Sequence, residues 1–435
     1  MRPDPLAELL PALSDHEATL EANRCLFCFD APCTHACPTH IDVPNFIKKI
    51  ATGNLIGSAS TILKSNLLGA TCARVCPVQE LCEGACVLGA EHRPITVGRL
   101  QRYSMDFASD KGLELIRPGN PTGKRVAIVG SGAAGLSCAG ELRKLGHEVV
   151  VFDKRGLPGG LSTYGIIKLR EPIEVALAEA DMISSLGAHF EYERELGQNL
   201  DFKELQAEFD AIFLAVGLGW TPRLGIPGEE LIVDGLAMIE QSKTDEKRVV
   251  VGDKVLVIGA GNTAVDCATI AKRLGARAVT MVYRRTECEM SAYDHEYDFV
   301  KAEGVRFKFL TQPVAVLHDG EKVVGLECRS MQLGELDESG RATPVPIEGS
   351  EFIIETDQII KAIGQEKPAL AALLGIDTIR GFLKVNEEFE TNLPNVFAGG
   401  DCIRATGSAS TVMAVQDGKM AADSIHKKLS LSSGG

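Results

Sequence analysis

Two segments of this chain repeat one another: "KRVAIVGSGAAGLSCA" from Lys124 and "DKVLVIGAGNTAVDCA" from Asp253. In each, a short β-branched run leads into a glycine-spaced turn and then a helical pattern. Few folds accept that order. It demands a strand, a tight turn and a helix whose amino terminus faces the turn, which opens a dinucleotide-binding βαβ unit. In the first copy, strand Arg125–Val129 runs into Gly130-Ser131-Gly132-Ala133-Ala134-Gly135, and a second strand, Glu148–Phe152, ends at Asp153. The glycines permit the turn and the close approach of a pyrophosphate, whose charge the helix amino terminus stabilises. Asp153 is placed to accept hydrogen bonds from a ribose. The competing reading is a plain βαβ turn.

In the second copy, strand Lys254–Ile258 leads into Gly259-Ala260-Gly261-Asn262-Thr263-Ala264. The next strand, Ala278–Tyr283, ends on Arg284-Arg285 in place of an acid. Guanidinium groups there suit a ribose 2′-phosphate, which a carboxylate would repel. This favours NADP(H) over NAD(H), against the alternative of two solvated surface arginines. Beyond "RPGNPTGK" (Arg117–Lys124), which reads as a linker, β-branched runs alternate with helical patterns, so the fold class is α/β with largely parallel sheets.

At 435 residues, with 45% hydrophobic and 24% charged residues, the chain predicts a glycine-rich protein of two or three domains. The net charge of −14 argues against nucleic acid and against an anionic membrane surface as partners. No apolar stretch reads as a signal peptide or membrane span, so a cytoplasmic location is expected, where structural disulfides are rare. The tail "SLSSGG" reads as a flexible end.

Against that background the thiols need a purpose. Of 13 cysteines, eight fall before residue 90, in Cys25-x₂-Cys28-x₄-Cys33-x₃-Cys37-Pro38 and Cys72-x₃-Cys76-Pro77-x₅-Cys82-x₃-Cys86. Zinc favours well-separated Cys-x₂-Cys pairs, whereas iron–sulfur ligation uses tight runs closing in Cys-Pro. Iron–sulfur is the favoured reading and zinc the alternative. A capping box at Ser14-Asp-His-Glu17 predicts a short helix leading to Cys25, and residues 43–66 carry helical spacing broken at Gly53 and Gly57. The first hundred residues show too few large apolar side chains for a robust core, so something besides packing is expected to hold them together. Near the carboxyl end, "NVFAGGDC" (Asn395–Cys402) followed by "STVMAVQDGKMAA" can set Asp401 on a polyol and a helix terminus under a flavin; an ordinary strand-turn-helix is equally compatible.

Taken in order, "RCLFCFDAPCTHACP", "GATCARVCPVQELCEGAC", "PITVGRLQRY", "GGLSTYGI", "YRRTECEMSAYDHEY" and "VFAGGD" resemble the electron-input module shared by dihydropyrimidine dehydrogenase and the glutamate synthase small subunit. Nearly the whole chain is covered, and the motifs resemble those of the separate NAD(P)H-oxidising subunit of bacterial dihydropyrimidine dehydrogenase. The resemblance implies a helical domain at 1–115 with two [4Fe–4S] clusters. It also implies an FAD domain at 116–219 and 367–435, and an NAD(P)H domain at 220–366 inserted in it. One cluster would take Cys25, Cys28, Cys33 and Cys86, the other Cys37, Cys76, Cys82 and Gln101, with Cys72 spare. Gly130, Gly132, Ala133, Ala134, Gly135, Asp153, Gly160, Leu161, Arg170, Gly400, Asp401, Thr411 and Val412 would contact FAD. Gly259, Gly261, Asn262, Thr263, Arg284, Arg285, Ala362 and Gly364 would contact the nicotinamide dinucleotide.

Three departures stand out: "GIIKLREP" lacks a proline expected after Gly-Ile, Ala133 replaces a common proline, and Ser291 replaces a third basic residue. The implied activity is NAD(P)H oxidation through FAD, with no catalytic acid–base pair. Single electrons would pass to an FMN-containing partner that reduces uracil or thymine. The alternative partner is the glutamine-dependent large subunit of glutamate synthase. A disulfide reductase is disfavoured because the flavin half contains no Cys-x-x-Cys. A zinc-stabilised binding protein with degenerate nucleotide folds is the non-enzyme alternative.

Overall fold

The computed structural model describes residues 5–337, 340–406 and 409–431. The predicted tail therefore lies largely outside the described residues; Ser430 and Leu431 end the last helix.

The amino-terminal region is helical: α1 (Asp15–Asn23), the single turn α2 (Pro32–His35), α3 (Val43–Ala51), α4 (Leu55–Ser65), α5 (Gly69–Val75) and α6 (Val97–Asp110). The capping box at Ser14 forms, with Glu17 closing on the Ser14 amide at 2.8 Å. Gly53, at φ +74°, makes the turn between α3 and α4, and the Asn54 side chain caps α4 through the Gly57 amide at 2.9 Å. The expectation of a weakly packed domain does not hold. Phe46, Ile47, Ile50, Ile62 and Leu100 are almost wholly buried in one core shared by α1, α3, α4 and α6. A few large residues at helical spacing, all on inward faces, suffice because small alanines let the helices approach closely.

Next come β1 (Arg125–Val129), α7 (Ala133–Lys144), β2 (Glu148–Phe152), α8 (Leu161–Tyr164), α9 (Ile173–Ser185), β3 (His189–Glu191), α10 (Phe202–Glu208) and β4 (Ala211–Leu214). An intervening segment then supplies β5 (Val233–Asp234), α11 (Gly235–Thr244), β6 (Lys254–Ile258), α12 (Asn262–Arg273), β7 (Ala278–Val282), α13 (Asp294–Ala302) and β8 (Arg306–Lys308). It continues through a long antiparallel meander, β9 (Thr311–Asp319), β10 (Lys322–Leu336) and β11 (Ala342–Glu355), to β12 (Gln358–Lys361). The chain ends with α14 (Leu370–Leu374), the small hairpin of β13 (Thr378–Ile379) and β14 (Phe382–Leu383), then β15 (Val396–Ala398) and α15 (Thr411–Leu431).

Two five-stranded parallel sheets result, ordered β15-β4-β1-β2-β3 and β5-β12-β6-β7-β8. The internal sequence repeat is thus a repeat of sheet topology, with β1 matching β6 and β4 matching β12. The strands are buried on both faces, as Val126–Val129 and Val255–Ile258 require. The meander is a separate three-stranded sheet that the sequence reading did not anticipate. One compact unit is built on Gly219–Glu366 with Tyr164–Leu169; the other holds Leu9–Thr163, Arg170–Leu218 and the chain from Lys367 on. Among the described residues, no helix is long and apolar enough to cross a membrane.

Candidate functional site

The first glycine loop joins β1 to α7 in a space without room for side chains. Gly130 has φ +104°, and a Cβ there would lie 2.2 Å from the Ala215 carbonyl oxygen. At Gly135 a Cβ would lie 1.9 Å from the Gly130 carbonyl oxygen. Gly132 is open by contrast, and faces Gly160, itself at φ +57°. Two bare backbones thus oppose each other at the amino end of α7, a cradle suited to a pyrophosphate. Asp153 braces the loop: its Oδ2 accepts from the Ser131 amide at 2.7 Å and hydroxyl at 2.5 Å, and its Oδ1 from the Arg155 amide at 2.8 Å. A carboxylate has further acceptor capacity, so it can still receive a ribose hydroxyl.

The carboxyl-terminal element closes on this loop. Gly400, at φ +80°, donates its amide to Asp417 Oδ2 at 3.0 Å, and Asp417 pairs with Arg404. Burial pushes the Asp401 carboxyl up, with Arg404 opposing and Asp417 adding to the shift. Ala133 and Ala134 open α7, and a Cβ at Gly418 of α15 would lie 2.1 Å from the Ala134 carbonyl oxygen, so the two helices touch backbone to backbone. Arg404 Nε and Gln416 Oε1 are buried without a hydrogen-bond partner among the described residues, which fits polar groups that could meet a ligand. Leu161 is exposed, Arg170 and Thr411 are half-buried, and Val412 is buried.

The second loop repeats the design within its own unit. Gly259 has φ +134°, a Cβ there would lie 2.1 Å from the Ala362 carbonyl oxygen, and the Ala362 amide donates to Ile258 at 2.9 Å. Gly364 follows at φ +95°. Gly261 faces the Ser291 hydroxyl and the Ala292 amide bonds the Ala260 carbonyl at 3.2 Å, so the segment after β7 lies along the loop. Thr263 is half-buried in the first turn of α12, and beside it Asn262 Oδ1 is buried with no hydrogen-bond partner among the described residues. The two arginines part company: Arg284 is exposed, whereas Arg285 is buried. A counterpart of the Ala362–Gly364 run escaped the sequence reading. Ala215, whose amide donates to Val129 at 2.8 Å, leads to Gly217 at φ +62°. Its signal is the match between "LAVGLG" and "KAIGQE".

The cysteines gather around two cavities. Cys25, Cys28, Cys33 and Cys86 line the first, of about 400 Å³ including its open mouth. Cys37, Cys72, Cys76, Cys82 and Gln101 line the second, of about 340 Å³ on the same measure, and Val412 closes one side. Each motif therefore lends a residue to the other's cavity. The first group is half-buried, while Cys37 and Cys72 of the second are buried. Burial, with Cys25 and Cys86 nearby, pushes the Cys33 thiol up to about 11. The Cys76 thiol is raised by its hydrogen bond with Cys72 and by burial, and Cys82 chiefly by burial and then by Glu83. A metal that binds such groups displaces their protons and holds them as thiolates. Among the described residues no three His, Cys, Asp or Glu side chains converge on one metal position; the thiols ring cavities instead. Gln101 donates its Nε2 to the Gly69 carbonyl at 2.7 Å, which leaves its amide oxygen for another partner.

Comparison with known proteins agrees with this division. Residues 124–418 match the pyridine nucleotide-disulphide oxidoreductase family, and residues 3–113 match dihydropyrimidine dehydrogenase domain II, 4Fe-4S cluster. The chain is 36% identical to the NAD-dependent dihydropyrimidine dehydrogenase subunit PreT of Escherichia coli (strain K12), over 98% of this chain and 97% of that one. It is 34% identical to the glutamate synthase [NADPH] small chain of the same organism, over 96% and 93%. Among solved structures, Mycobacterium tuberculosis FprA in complex with NADPH shares the fold at a TM-score of 0.59 and 19% identity, over 72% of this chain and 86% of that one. The chain belongs to the pyridine nucleotide-disulphide oxidoreductase family, in the iron–sulfur-bearing branch of electron-input subunits that includes PreT and the glutamate synthase small chain.

Proposed function

We propose that this chain is the NAD(P)H-oxidising subunit of a cytoplasmic dihydropyrimidine dehydrogenase, passing single electrons to an FMN-containing partner that reduces uracil or thymine. The observation that carries this reading is the interleaving of the two cysteine motifs around two cavities, one of which shares Val412 with the start of α15. Residues 1–115 would form the cluster domain, 116–219 with 367–435 the FAD domain, and 220–366 the NAD(P)H domain. Cys25, Cys28, Cys33 and Cys86 would hold one [4Fe–4S] cluster; Cys37, Cys76, Cys82 and Gln101 would hold the other. When bound, FAD would supply hydride acceptance from NAD(P)H and the clusters single-electron transfer.

The chain's own task is positioning. The opposed backbones of Gly132 and Gly160 would receive the flavin pyrophosphate, while Asp153 fixes the loop that would hold it. Val412 sits at the cavity of Cys37 and on the helix that packs against α7, so the buried cluster site adjoins the flavin side. The half-buried Cys25 group is then the outward one, suited to electron exit. The 34% identity to the glutamate synthase small chain supports a second reading in which the acceptor is the large subunit of that enzyme. Assaying the copurified complex with uracil, and separately with 2-oxoglutarate plus glutamine, tests the choice. Uracil-dependent NAD(P)H oxidation is expected; oxidation only with 2-oxoglutarate and glutamine would favour the second reading.

A further inference from the structure

Arg284 and Arg285 follow β7 at the point where this class of fold meets the ribose 2′ position. They are adjacent in sequence but unlike in place. Arg284 is exposed and has no ion-pair or hydrogen-bond partner among the described residues. Arg285 keeps only 7% of its side chain exposed; its Nη2 pairs with Asp337 Oδ2 at 2.9 Å, and its Nε donates to the Ala342 carbonyl at 2.8 Å. Asp337 directly follows β10 and Ala342 opens β11. Asp337 is fixed there in turn, because its Oδ1 accepts from the Arg341 amide at 3.1 Å and its own amide donates to the Arg341 carbonyl at 2.7 Å.

Resting on the NAD(P)H reading above, we propose that Asp337 is a selectivity-determining residue: it holds Arg285 beside the end of β10 and so leaves Arg284 as the unengaged guanidinium of the pair to meet a 2′-phosphate. The physical reason is competition between anions. A half-buried, hydrogen-bonded carboxylate already engages Arg285, and a phosphate approaching the same guanidinium would meet the Asp337 charge. The chain therefore discriminates weakly between NADPH and NADH. Removing the Asp337 charge should release Arg285 toward the phosphate and affect NADH little.

The test compares flavin reduction by NADH and NADPH, with ferricyanide as final acceptor, in the parent protein, Asp337→Asn, Asp337→Glu and the double variant Asp337→Asn/Arg285→Gln. In Asp337→Asn the NADPH-to-NADH ratio of kcat/KM should rise about tenfold, the scale of one charge-assisted hydrogen bond, with the change in KM for NADPH. Asp337→Glu should stay near the parent ratio, and adding Arg285→Gln should abolish the gain. An unchanged ratio in Asp337→Asn, or a gain that survives loss of Arg285, would overturn the inference alone. Should Asp337→Asn not fold, Asp337→Ser carries the same comparison. Failure of both nucleotides to reduce the flavin of the parent protein would overturn the NAD(P)H reading and this inference with it.

Discussion

At Gly130 the backbone sits where L-residues are strained, and the Ala215 carbonyl occupies the place a side chain would need. Gly130→Ala should therefore displace the loop, at a conformational cost of roughly 1–2 kcal/mol before any steric clash. The expected result is an FAD affinity at least about tenfold weaker, read from bound-flavin absorbance after gel filtration. Gln101 and Cys72 make a sharper pair, since both line the Cys37 cavity. Gln101→Ala should alter the electron paramagnetic resonance signal of one cluster, whereas Cys72→Ser should leave iron content unchanged. Iron loss in Cys72→Ser would exchange the two roles. The cysteine groups and glycine loops were legible in the sequence because local spacing carries their chemistry. The pairing of Arg285 was not, because Asp337 lies 52 positions away and no local spacing links the two.

Among the elements, α5 carries Cys72 and leads into Cys76, and it is anchored by acids from outside the helical domain. Glu179 of α9 accepts from the Ala70 amide at 2.7 Å, while Glu171 accepts from the Thr71 hydroxyl at 2.6 Å. Burial raises the Glu179 carboxyl from 4.5 to about 8, with Thr71 opposing and Glu171 adding to the rise. As pH rises the unfolded chain loses this proton first, so the stability it contributes is full below pH 4.5 and disappears toward pH 8. Glu179→Gln should flatten that part of the pH dependence, by on the order of 5 kcal/mol across the window, measured by urea unfolding at several pH values. An unaltered slope would show that Glu179 is not the titrating group. The contact of α15 with α7 leads to a second expectation. Gly418→Val would drive a side chain toward the Ala134 carbonyl, costing about 1–3 kcal/mol, and should lower the melting temperature and FAD content together. Strand and helix order at both repeats was readable from periodicity. The β9–β11 meander was not, because half-exposed strands packed on one face give only a broken alternation.

Over the whole molecule, one topology is used twice for two dinucleotide sites, and a helical domain with its own core presents eight cysteines and Gln101 around two cavities. The duplication was visible in sixteen-residue segments of sequence. The strength of the helical core was underread, since its large side chains are few and their convergence is a property of packing. Electron relay depends most on the claim that neither cysteine motif makes a cluster by itself. Anaerobic purification of Cys33→Ser, Cys37→Ser and Cys86→Ser, with iron analysis and electron paramagnetic resonance after reduction, tests this directly. The parent protein should hold about eight irons per FAD; Cys33→Ser and Cys86→Ser should lose the same cluster signal, and Cys37→Ser the other. Loss of one signal by both Cys33→Ser and Cys37→Ser, with Cys86→Ser removing the second, would mean that each motif builds its own cluster and would contradict the interleaved arrangement.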